Sequence, residues 1–114
     1  MTTLETCFLI FLGIQILHSI EELTTGFNKR FPFFKLSFAS FLIFEILFLS
    51  FWILVYSIES FPIRTELMAF YLLLMFANGI WHLAWWGIEK KYVPGLVTAP
   101  LFVIGFPFFY YQLF

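Results

Sequence analysis

The chain has 114 residues, 62% of them hydrophobic and 11% charged, and includes 19 Phe, 4 Trp and 5 Tyr. Ordinary globular domains hold roughly 45–50% apolar and 25% charged residues, so a soluble core of this length could not hide the apolar surface. Disorder is excluded by the same balance, a nucleic-acid footprint by the net charge of −1, and an intramolecular disulfide or cysteine-rich metal knuckle by the single Cys7.

Four apolar runs follow one another, at about 4–24, 36–58, 65–88 and 94–114. Each is close to the roughly 20 residues that span a 30 Å hydrocarbon layer. The separators are short and hold most of the charge. No period-two alternation marks a barrel strand. The expected fold is therefore all-α, a single membrane domain built as a four-helix transmembrane bundle with up-down topology.

The first run lacks a positive n-region and a small-residue cleavage site, so it reads as a retained helix rather than a signal peptide. Cys7 lies at its outer end and reads as inert. Gln15, His18 and Glu22 follow i, i+3, i+7 spacing and share one face. Glu21 lies about 100° around from Glu22. The second run carries Glu45 near its centre. In the third, Asn78, His82 and Glu89 share a face with Trp85. Trp81, Trp85 and Trp86 read as interfacial or packing residues. The fourth run starts at Pro94, where a helix tolerates proline. Pro100 and Pro107, near Gly105, read as sites where it kinks. Tyr92 reads mainly as an anchor at the membrane surface. The whole Tyr92–Gly95 string reads as an anchor first and as a lid or pocket wall second.

Lys29, Arg30, Lys35, Lys90 and Lys91 flank the loops after the first and third runs, and only Arg64 follows the second. The positive-inside rule assigns the first group to the cytoplasm and both termini to the outside. The expected location is a plasma membrane of bacterial type. At 1.5 Å per residue, His18 lies about 6 Å and Glu22 about 12 Å past the midplane, with His82 about 8 Å past the centre of its own helix. Imidazoles and carboxyls from three helices thus share one leaflet.

His18-Ser19-Ile20-Glu21-Glu22 is an H-x-x-E-E string, His82 is a second histidine, and Tyr92-Val93-Pro94-Gly95 is a Y-x-P-G string. In that order they resemble the HXXEE-domain family of small integral membrane proteins. The resemblance implies an integral membrane protein with a suspected enzymatic role and names no reaction. Glu45 and Asn78 are not part of its pattern.

The residues themselves leave several chemistries open. His18, Glu22 and His82 form a candidate metal set for zinc, iron or manganese, because neutral imidazole and carboxylate suit such ions. Glu21 and Glu45 are candidate bases or further ligands, and Asn78 a candidate orienting donor. A single-helix His and Glu pair resembles the grip used in di-iron bundles, in reversed order. The inverzincin string fails at Glu22, where it needs histidine, and the intramembrane CAAX-type protease motifs are incomplete. Metal-free acid–base chemistry on a lipid or other apolar small molecule is the second reading. A proton path, enclosed by a homo-oligomer, is the third. Histidines that merely join helices by hydrogen bonds are the plain alternative, with Glu22 at a hydrated helix end. The reading preferred is an enzyme of the membrane, metal-dependent or acid–base. The runner-up is a non-catalytic proton-binding or ligand-binding bundle, or a partner subunit.

Overall fold

A computed structural model describes residues 1–113. The secondary structure among them is helical: α1 (Thr3–Thr25), α2 (Phe27–Arg30), α3 (Phe38–Ser57), α4 (Arg64–Glu89) and α5 (Ala99–Leu113). Three of these, α1, α3 and α4, are long and apolar enough to cross a membrane. α5 has 15 residues, about 22 Å of helix, and falls short of the expected fourth span. The expected end at Phe114 lies outside the described residues.

Local chemistry sets the ends. Thr2 caps α1, its hydroxyl accepting from Glu5 N at 3.1 Å while the Glu5 carboxylate accepts from Thr2 N at 2.9 Å. Gly26, at φ 82°, takes the left-handed turn that stops α1. The four residues of α2 follow at once, so the loop expected here is partly helical. Ser37 caps α3 by accepting from Ser40 N at 3.1 Å. Arg64 ties the opposite ends together. Its guanidinium donates to the Val55 and Tyr56 carbonyls, at 2.9 and 2.7 Å, and meets Glu5 at 3.1 Å.

The second run explains why lipid suits this fold. Only Phe41, Glu45, Trp52 and Val55 of α3 are buried, and that stripe faces α1 and α4. Ile43, Phe44, Ile46, Leu47 and Leu54 point outward, each more than half exposed, which suits a hydrocarbon solvent. Inside, Phe8, Trp52 and Tyr71 interlock, with Tyr71 centred 4.9 Å from Phe8 and 4.7 Å from Trp52. Phe11 meets Phe102 edge-on at 5.3 Å and joins α5 to α1.

α5 begins five residues later than Pro94, where the spacing puts a helix start. Pro94 and Thr98 instead bound a run of turns, with Gly95 at φ 92°. α5 then packs antiparallel against α4 at Gly79. A Cβ added there would lie 2.8 Å from Ala99 O and 2.9 Å from Val103 Cγ2. A small residue is what lets the two backbones approach this closely.

Candidate metal centre

The i, i+3, i+7 face of α1 becomes a buried stripe, with Gln15, His18 and Glu22 all under 6% exposed. α4 brings His82, fully buried, against it. His18 Nε2 lies 3.1 Å from His82 Nε2. The Glu22 carboxylate closes the triangle, its Oε1 3.6 Å from His18 Nε2 and its Oε2 3.4 Å from His82 Nε2. These three residues alone, among the described ones, form a group whose ligand atoms could hold a metal ion, all lying within 4.8 Å of one another.

The size of the triangle has a simple meaning. Ligand atoms about 2.0–2.1 Å from a tetrahedral zinc lie about 3.3 Å from each other. The two histidine nitrogens, 3.1 Å apart, lie near that value, while Glu22 meets them with different oxygens, Oε1 towards His18 and Oε2 towards His82.

The surroundings orient His18. Glu21 points away from the triangle into a cradle of donors. It accepts from Val97 N at 3.0 Å, Thr98 N at 3.0 Å, the Thr98 hydroxyl at 2.7 Å and the Tyr92 hydroxyl. Four donors leave no place for a proton, so Glu21 is a carboxylate. The Thr98 hydroxyl spends its hydrogen on Glu21, so it can only accept from His18 Nδ1, 2.6 Å away. His18 therefore carries its proton on Nδ1 and presents a bare lone pair at Nε2, towards Glu22 and His82. Metal-bound histidines are held by the same kind of outer contact.

His82 differs. Its Nδ1 faces the Pro94 backbone without a hydrogen bond of ordinary geometry. Its Nε2 faces His18 Nε2 across a gap that a proton on His82 Nε2 would fill and that a metal ion would fill in its place.

Gly95 closes the site from below. A Cβ on it would stand 2.5 Å from His82 Cε1 and 2.7 Å from His18 Cε1. Its φ of 92° also disfavours any side chain. The Tyr92–Gly95 string is thus part of the site wall. Tyr92 is also the partner of Glu21, and its carbonyl accepts from Arg30 at 2.6 Å. Burial, and then the Glu21 carboxylate it donates to, push the Tyr92 phenol above its ordinary pKa.

The other expected residues lie nearby but apart. Glu45 accepts from the Ser19 hydroxyl at 2.6 Å, and Ser19 accepts from the Gln15 amide at 3.0 Å. Glu45 and Glu22 are within interaction range of each other. Asn78 is half-buried; its Oδ1 makes no hydrogen bond of ordinary geometry, although its side chain lies within reach of His18. Glu89 shares the His82 face by spacing yet reaches the surface, where it meets Arg30 at 3.5 Å. Sequence reasoning missed Thr98 and Ser19. Thr98 sits in what reads as a fourth helix, and Ser19 hides inside the H-x-x-E-E string as one of its unspecified positions.

The decisive likeness is to the family described as proteins of unknown function with an HXXEE motif, whose profile matches residues 9–110. The chain belongs to the HXXEE family. No curated protein and no solved structure is significantly similar to it. The motif that names the family is divided in this HXXEE protein: His18 and Glu22 enter the triangle, while Glu21 fixes the Tyr92–Thr98 turn.

Proposed function

We propose that this HXXEE protein is a metal-dependent membrane enzyme in which His18, Glu22 and His82 bind one divalent ion, zinc, iron or manganese, and act on an apolar substrate drawn from the bilayer. The observation that carries the reading is the buried convergence of two imidazole nitrogens and a carboxylate, with one ligand atom from each within 4.8 Å of the others. Three protein ligands leave a coordination position free. An ion there supplies Lewis-acid activation of a carbonyl group or of water. Glu45, held by Ser19, is the nearest carboxyl outside the triangle and the proposed base. Asn78 is the proposed orienting group.

α5 completes a fourth traverse in this reading. Its Phe106 and Tyr110 reach a cavity shared with Leu4 of α1 and Thr65 of α4, so its far end stands level with the starts of both helices. With the turn before it, the chain returns to the side on which it began. The Lys and Arg distribution makes that side the outer one.

The test is metal analysis of protein purified in detergent. Near-stoichiometric metal is expected, falling to background in His18→Ala and His82→Ala. A second reading rests on the 3.1 Å contact between the histidines, which a proton shared by the two Nε2 atoms would account for without a metal. Metal-free protein that carries proton flux in liposomes would favour that non-catalytic bundle and overturn the enzyme reading.

A further inference from the structure

A cavity of about 250 Å³ opens beside the triangle, walled by Phe27, Phe41, Phe44, Phe48, Leu74 and Met75 and by the polar side chains of Gln15, Glu22, Glu45 and Asn78. Phe44 is 56% exposed, so one wall of the cavity lies at the lipid-facing surface of α3.

The polar lining presents acceptors. Ser19 gives its hydrogen to Glu45, so Gln15 must turn its NH₂ towards Ser19. That fixes the direction of the amide and leaves Gln15 Oε1 without a partner, although Gln15 is only 4% exposed. Asn78 Oδ1 also lacks a hydrogen bond of ordinary geometry, although its side chain lies within reach of His18. Buried carbonyl oxygens of this kind call for a donor. The two carboxyls add more acceptor sites.

Donor count narrows the choice. A primary ammonium brings three donors and no acceptor. A hydroxyl brings one donor, and its lone pairs would face the lining oxygens. A carboxylate brings only acceptors to a lining that already presents them.

We infer that the cavity beside the triangle binds the primary ammonium head of an apolar amine, held by Glu45, Gln15 Oε1 and Asn78 Oδ1 with its chain among the phenylalanines. The inference does not rest on the proposed metal centre; the acceptor lining stands without it.

The experiment uses full-length protein in zwitterionic lipid nanodiscs, with empty discs as control. Hexylamine, hexan-1-ol and hexanoate are compared by saturation-transfer NMR, with and without added zinc, and bound metal is measured separately. Hexylamine is expected to bind about 10-fold or more tightly than hexan-1-ol, and hexanoate not at all. Glu45→Gln is expected to weaken hexylamine about 10-fold without loss of bound metal. Gln15→Met, which keeps length and loses the acceptor, should weaken it by a smaller factor. Equal binding of alcohol and amine would overturn the inference, as would unchanged binding in Glu45→Gln. If Glu45→Gln does not fold, Gln15→Met and the alcohol comparison still decide. Absence of bound metal with amine selectivity intact would defeat the metal centre alone.

Discussion

Thr98 has one hydroxyl and two duties, and the order in which it serves them sets the protonation of His18. Because its hydrogen goes to Glu21, its lone pair must receive the His18 Nδ1 proton. Valine keeps the shape and removes both contacts. Thr98→Val should therefore leave the fold in place, since Glu21 still holds the backbone N–H groups of Val97 and Thr98. Metal affinity should fall about 10- to 100-fold, the usual loss when a ligand's outer partner is removed. Competition against a chelator of known affinity measures it. An affinity equal to that of the unaltered protein would show that the Glu21–Thr98 chain does not orient the ligand.

Among the elements, the turn between α4 and α5 does more than connect. It carries Tyr92, Gly95 and Thr98, each in contact with a residue of the α1 motif or with its histidine neighbours. Tyr92 offers a pH readout. Its folded pKa is raised, so its neutral, donating form is favoured by folding. The stabilisation is fully present below the ordinary phenol value of about 10 and is lost as pH rises through the higher folded value. Thermal unfolding of the unaltered protein should drop in that alkaline window. Tyr92→Phe should be less stable at neutral pH, by roughly 1–2 kcal/mol for a lost hydrogen bond to a charged group, and should show a shallower alkaline drop. Identical alkaline profiles for the two proteins would remove Tyr92 from the account. This element was also the least legible in the sequence. The helical face of Gln15, His18 and Glu22 followed from spacing, because 3.6-residue periodicity survives in any packed helix. Pro94 and Gly95 were ambiguous because proline suits a helix start as well as a turn. Only the tertiary approach of two imidazole rings requires glycine at residue 95.

For the molecule as a whole, apolar content and run length were enough to give an all-helical chain in which α1, α3 and α4 are long and apolar enough to cross a membrane. The convergence of His18, Glu22 and His82 was legible in outline, since polar groups at similar depth on buried faces have few partners other than each other. The split role of the two adjacent glutamates was half legible: their 100° separation followed from helix geometry, but not the turn that Glu21 would meet. The proposed four-pass arrangement predicts that tags at the two termini are exposed on one side of the membrane, with Lys29, Lys90 and Lys91 labelled from the other. Protease protection in oriented vesicles reads both. Tags on opposite sides would mean that α5 does not complete a crossing.

Gly26 ends α1 only four residues after Glu22, roughly one helical turn. The triangle thus sits shallowly, close to the end of α1 bearing Lys29 and Arg30, and far from the end bearing Thr2 and Glu5. An ion arriving from that nearer compartment has one turn of helix to pass, whereas one arriving from the other must traverse the Phe8, Phe11 and Tyr71 layer. If the triangle holds the proposed ion, its loading and stripping would be vectorial, governed by the metal supply of a single compartment.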